Sequence, residues 1–173
     1  MGRPENWGSH LPTLVQAVER TIGPVLELGA GFFSTPVLHA LCRSRLLVTM
    51  ESDKAWLDNF RHMECGRHRF VAVENTLDGW LAAVNKVIVE VPDIAVAFVD
   101  HQPSETRVEC AARLAPFAKV LLLHDQPPRR RRSEVDRLHP VLTAMPYRKV
   151  FVMRGVLTTA FSNSIDLSQW DDL

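Results

Sequence analysis

The chain has 173 residues, 46% of them hydrophobic and 23% charged, with 20 basic and 20 acidic side chains that cancel at pH 7. That length favours one domain over 1–173, and a zero net charge argues against a global field for nucleic acid or a membrane surface. Cys42, Cys65 and Cys110 are odd in number and widely spaced, which argues against a disulfide framework or zinc cluster and fits a cytoplasmic location.

The opening stretch MGRPENWGSH lacks the apolar core of a signal peptide. Residues 1–23 read as an N-terminal helical segment. Leu11, Leu14, Val15 and Val18 recur at helical spacing, Ser9 is placed as N-cap, and Pro12 falls in the first turn. PVLELG then reads as a strand and 29–34 as a loop. Thr35 and Pro36 read as N-cap and first residue of a helix that buries Val37, Leu38 and Leu41.

LLVTMES is a second strand, and Asp53 caps a helix with an apolar face of Trp56, Leu57, Phe60 and Met63. RFVAVE is a third strand, while residues 75–92 carry no clear assignment. DIAVAFVD is a fourth strand, and Ser104 caps a helix through Val108, Ala111, Ala112 and Leu114 that Pro116 ends. KVLLLHD is a fifth strand. Ser133 and Asp136 resemble a capping box for a helix that Pro140 must interrupt. KVFVMR and LTTAFSNS close the chain through Gly155, a short link that suits an antiparallel turn.

Strands alternating with helices predict an α/β fold, a doubly wound, Rossmann-like sheet of about seven strands over residues 24–164. It is mostly parallel with a C-terminal antiparallel hairpin. In such a sheet ligands bind beyond the carboxyl ends of the strands, where strand order reverses. Gly29 and Gly31 fall at the end of the first strand, where a missing Cβ permits a sharp turn and close ligand approach. Glu51 ends the second strand, 20 residues after Gly31, at the place where an acid accepts from ribose hydroxyls. The nicotinamide fingerprint wants a third glycine where this chain has Ser34.

ELGAGFFST followed by TMESD resembles the first two motifs of class I S-adenosylmethionine-dependent methyltransferases. The closing hairpin is similar to theirs as well. The resemblance implies an enzyme with S-adenosylmethionine as cofactor. It places Glu27, Gly29, Ala30 and Gly31 along the methionine moiety, Glu51 on the ribose, and Ser52 and Asp53 beside the adenosine. Glu74 or Asn75 would lie near the adenine edge, and Asp100 near the methionine portion or the substrate.

FVDHQPSETR and LLLHDQPP each set a histidine beside an aspartate at the cleft mouth. Asp100, His101, His124 and Asp125 are therefore the catalytic candidates, with the two imidazoles as bases. Strand alternation keeps His124 and Asp125 from pointing the same way, and Asp125 is expected toward the cleft with His124 packed. Asp100, Asp125 and Gln126 also resemble the magnesium ligands of small-molecule O-methyltransferases. Those enzymes have Asp-Asn where this chain has Asp-Gln, so a metal-free site is favoured over magnesium.

His10 and Trp7 lie in a region that folds over the cofactor in this superfamily, and Trp80 is set against the adenine or in the core. The run Arg129, Arg130, Arg131 and Arg132 would overhang the mouth and attract an anionic substrate. The expected function is methyl transfer to a small molecule, at oxygen. The alternatives are a non-catalytic methyltransferase-like binding domain and, behind it, an NAD-dependent oxidoreductase. Nucleic acid is the weaker substrate, because basic residues are not spread over a face with aromatic partners. The substrate pocket must be completed by the N-terminal segment, residues 75–92, the arginine loop, or a second subunit in a homodimer.

Overall fold

A computed structural model describes residues 8–126 and 139–171. The Ser133–Asp136 capping box and the arginine run lie outside the described residues, as does Trp7. The described elements are α1 (Leu11–Glu19), β1 (Val25–Leu28), α2 (Ser34–Leu41), β2 (Leu47–Glu51), α3 (Lys54–Asp58), β3 (His68–Ala72) and α4 (Leu77–Glu90), followed by β4 (Ile94–Val99), α5 (Arg107–Leu114), β5 (Ala118–Gln126), α6 (Pro140–Thr143), β6 (Tyr147–Met153) and β7 (Val156–Ser162).

Seven strands form one sheet in the order β3-β2-β1-β4-β5-β7-β6. The first five are parallel, and β7 runs antiparallel to both β5 and β6. Residues 75–92, unassigned from sequence, hold α4, which starts where the Thr76 hydroxyl accepts from Gly79 N at 3.0 Å. The closing hairpin turns through Arg154 and Gly155, both with positive φ, between the paired residues Met153 and Val156. That is the two-residue primed turn whose twist matches the flanking strands.

The alternation of strand side chains splits the core in two. Leu26, Leu28, Val48, Met50, Ala97, Val99, Leu121 and Leu123 pack under α4 and α5 with Trp80, Val84, Ala111 and Leu114. Val25, Leu47, Val96, Phe98, Val120 and Leu122 face the other way, against Leu14 and Val18 of α1 and Leu38 of α2. Both faces of β1 and β4 are buried throughout, which explains why neither strand shows polar alternation.

Three expected caps differ, at Ser9, Thr35 and Ser104. His10, not Ser9, is the N-cap of α1, with no side-chain cap bond. α2 begins at Ser34 after Phe33, because the Thr35 hydroxyl is drawn into the interior instead of capping. Asp53 does cap α3, accepting from Trp56 N at 3.0 Å. Ser104 opens a 3-10 turn, and α5 starts behind it at Arg107. Pro140 begins α6 instead of interrupting a helix within the described residues.

The register fixes the site. Leu28 pairs with Met50 on one side and Val99 on the other, so the chain leaves β1, β2 and β4 at one edge as Gly29, Glu51 and Asp100. Strand order reverses between β1 and β4 there, and the cleft opens at that edge.

Candidate functional site

The two glycines of the loop after β1 do different jobs. Gly29 has φ +96°, and a Cβ on it would lie 2.7 Å from the backbone N and Cα of His101. The neighbouring chain leaving β4 passes where any side chain would be. At Gly31 a Cβ would meet only the Ser34 hydroxyl, at 3.0 Å.

The first three N–H groups of the loop are engaged inside the protein. Gly29 N donates to Met50 O at 2.9 Å, Ala30 N to Glu51 Oε2 at 3.0 Å, and Gly31 N to Thr35 Oγ1 at 2.9 Å. Glu51 also accepts from Ser52 N at 2.7 Å and Asp53 N at 2.9 Å through Oε1. Its carboxylate thus welds the loops after β1 and β2 into one wall.

A cleft of about 710 Å³ lies against this wall. Gly29, Ala30, Gly31, Glu51, Ser52, Asp53, Asn75, Asp100, His101 and His124 line it, together with Phe32, Phe33, Trp56 and Arg107. Three carboxylates and one guanidinium face this space. Phe32, half exposed, stacks edge-on against Trp56 with ring centroids 4.8 Å apart, and Trp56 Nε1 donates to Ala30 O at 2.7 Å. These two rings give the mouth an apolar wall.

Two of the expected cofactor residues do not reach the cleft. Glu27 shares the strand face of Val25, so its side chain points into the sheet beneath α2. It is fully buried and accepts from Thr49 Oγ1 at 2.7 Å and from Thr35 Oγ1 at 3.0 Å. Burial pushes its carboxyl up to about 7, against the pull of the Ser34, Thr49 and Thr35 hydrogen bonds. The network continues from Thr49 to His68 Nε2 at 2.9 Å and from His68 Nδ1 to His39 Nδ1 at 2.9 Å. Glu27 is therefore a support for the glycine loop through Thr35. Glu74 is exposed and packs under Gly79 of α4, leaving Asn75 on the cleft.

Arg107 carried no role in the sequence reading, yet it organises the floor. It is buried, forms a 3.0 Å ion pair with Asp100 Oδ1, and donates to the carbonyls of His101, Asp100 and His124 at 2.6, 3.2 and 3.2 Å. A guanidinium fork suits this task because five donors in one plane can tie two strand ends together. Its position at the start of α5, facing back along β4, was the available signal.

The imidazoles are poor bases. His101 is buried, stacks on Trp80 with centroids 4.0 Å apart, and bonds Thr106 Oγ1 through Nε2 at 2.8 Å. Burial and the Arg107 charge lower its pKa to about 3. Trp80 itself is core, with Nε1 donating to Gln102 O at 3.1 Å. His124 is both packed and cleft-lining. Its Nδ1 is 2.8 Å from Thr158 Oγ1, and burial and Arg107 lower its pKa to about 4. The ladder to β7 slips between His124 and Gln126, so simple alternation fails there. The side chains of Asp125 and Gln126 lie outside the description, and with them two of the three magnesium candidates.

No protein-family model matches the sequence, and no curated protein matches it. Solved structures do match by fold. An O-methyltransferase from Bacillus cereus in complex with SAH aligns with a TM-score of 0.61 at 16% identity, over 94% of this chain and 82% of that one. Human methyltransferase-like protein 13 with SAH gives 0.65 at 18%, over 95% and 85%. The MycE methyltransferase of the mycinamycin pathway, with Mg and SAH, gives 0.58 at 13%, over 95% of this chain and 49% of that one. Strand order, closing hairpin and these alignments agree: the chain has the fold of the class I S-adenosylmethionine-dependent methyltransferases.

Proposed function

We propose that the protein is an S-adenosylmethionine-dependent methyltransferase acting on a small molecule, at oxygen. One observation carries the reading: the cleft at the sheet's switch point is acid-lined, and the N–H groups of Gly29, Ala30 and Gly31 are spent inside the protein. A dinucleotide site needs those N–H groups at a helix N-terminus to hold a pyrophosphate. Here Gly29, Ala30 and Gly31 spend them on Met50, Glu51 and Thr35. Glu51, Asp53 and Asp100 face the same space, which disfavours a pyrophosphate against the glycine loop and favours a cofactor bearing ammonium and sulfonium charge.

The residues present fit that ligand. The loop offers a close surface without side chains, Glu51 offers acceptors for a diol, and Trp56 and Phe32 offer an apolar flank. Bound S-adenosylmethionine supplies a methyl group on a positively charged sulfur. The chain's contribution is alignment, which corresponds to at most about 7–11 kcal/mol of barrier lowering in well-oriented reactions. Asp100, held by Arg107, orients groups at the floor, while Phe32 and Trp56 keep water from the mouth. His124 faces the cleft where His101 is locked by Thr106, so His124 is the better proton acceptor of the two. The arginine run after β5 favours an acceptor bearing phosphate or carboxylate.

Calorimetric titration with S-adenosylmethionine, S-adenosylhomocysteine and NAD tests the cofactor. Micromolar binding of the first two and no heat with NAD is the expected result. Binding of NAD, or of none of the three, overturns it. Methyl transfer to hydroxylated small molecules in a radiolabel screen tests the acceptor class.

A further inference from the structure

His10 stands at the entrance to α1, and nothing in the methyl-transfer reading uses it. It is buried, and neither ring nitrogen has a hydrogen-bond partner among the described residues. An imidazole always carries at least one N–H or lone pair that needs a partner, and leaving one buried and unpaired costs about 1–3 kcal/mol. Its ring lies edge-on to His124, with centroids 4.7 Å apart, and tilts against Phe98 at 4.8 Å. One ligating atom each from His10, Asp100 and His124 falls within 4.8 Å of the other two. All three line the cleft.

We propose that His10, Asp100 and His124 form a binding site for a divalent first-row transition metal ion. Such an ion holds nitrogen and oxygen ligands at about 2.0–2.2 Å. Two ligand atoms on it are thus about 3–4 Å apart, so the three groups, within 4.8 Å of one another without an ion, need at most a small inward shift. Two imidazoles with one carboxylate and open positions are a donor set that suits iron, zinc or cobalt. Magnesium prefers oxygen ligands and keeps its waters. The surroundings orient two of the three ligands as metal sites require. The Thr158 hydroxyl engages His124 Nδ1 and leaves Nε2 for the ion, and Arg107 fixes Asp100 through Oδ1.

This site differs from the Asp100, Asp125 and Gln126 set suggested by sequence, because it takes its nitrogen ligands from α1 and β5. It ties the N-terminal segment to the sheet and leaves coordination positions open to the cleft. An oxygen of an acceptor bound there would have its proton made more acidic by the ion. His124 would then serve as a ligand and not as a free base. The inference rests on three side chains and holds whether or not the chain transfers methyl groups.

The test needs no cofactor. Full-length protein dialysed against chelator is titrated with Co(II) while the visible absorption of bound cobalt is followed. One equivalent should bind, zinc should displace it, and a hundredfold excess of magnesium should not. His10→Ala and Asp100→Asn should each weaken binding at least tenfold while circular dichroism stays native. If His124→Ala fails to fold, those two variants still decide the matter. Asp125→Asn and His39→Ala should bind as the wild type does. No cobalt uptake at about 100 µM, uptake that survives His10→Ala, or uptake lost in Asp125→Asn or His39→Ala overturns the site. Calorimetry with S-adenosylmethionine on the metal-free protein then reports separately on methyl transfer.

Discussion

Gly29 and Gly31 look alike in sequence and differ in what replaces them. Gly29→Ala would force a Cβ into the backbone of His101 at a positive φ, and no flexible side chain can yield there. We expect a loss of several kcal/mol in urea unfolding, or failure to fold. Gly31→Val meets only the end of Ser34 and should unfold at a midpoint near that of the wild type. It would place bulk where a ligand must approach, so its heat with S-adenosylmethionine should vanish. Equal stability of the two variants would refute the distinction. Glu51 has two duties, and Glu51→Ala should show both. Losing hydrogen bonds between a charged group and the ligand weakens binding by about 1.5–3 kcal/mol, or about tenfold to a hundredfold. Stability should fall as well, because Ala30, Ser52 and Asp53 N–H groups lose their acceptor. An unchanged dissociation constant would remove Glu51 from the ligand.

At the scale of elements, the buried path from α2 through β1 and β2 to β3 makes stability depend on pH. Glu27 in β1 has its carboxyl raised from 4.5 to about 7 in the folded chain. The folded state therefore binds one more proton than the unfolded state between those values. The stability this proton confers is complete below 4.5 and is lost as pH rises through about 7. Glu27→Gln keeps the shape and removes the titration. Between pH 5 and pH 7 the variant should gain about 2 kcal/mol relative to wild type in urea unfolding. A difference that does not move with pH would mean that Glu27 is ionised throughout. His68, lowered to about 4 by burial, titrates in both proteins and drops out of the comparison.

The same elements show what the sequence made legible. Glycine spacing at a strand end located the loop, and the acid at the end of β2 was found because strand ends align at one edge. Glu27 was misplaced because motif resemblance outweighed parity: a residue two along from Val25 shares its face. Asn75 could be read from its place after β3, but α4 behind it could not. Its apolar positions run nearly all round the helix, and only the Thr76 cap marks its start. Arg107 escaped because its partners are Asp100 and backbone carbonyls, and His10 was placed over the cofactor but not beside His124, since such contacts have no fixed spacing along the chain.

For the whole molecule, the ligand edge of the sheet gathers residues from α1, β1, β2, β4 and β5, so a bound cofactor should brace the fold globally. A ligand at a hundred times its dissociation constant stabilises by about 2.7 kcal/mol. For a chain this size that corresponds to an increase of about 5–10 °C in Tm. S-adenosylhomocysteine should produce this shift in a thermal scan and NAD should not; equal shifts would remove the cofactor assignment.

The reversed direction of β7 brings the Arg154–Gly155 turn to that same edge, and Val156 already lines the cleft. The chain leaves β1, β2, β3 and β4 at this edge for helical crossovers, whose length is tied to the packing of a helix on the sheet. The hairpin has no such tie, and a Cβ on Gly155 would touch nothing within 4 Å. This corner is a point on the rim where residues can be added or removed without rebuilding a layer. Substrate range in such a scaffold can therefore drift by indels in one turn while the cofactor half stays fixed.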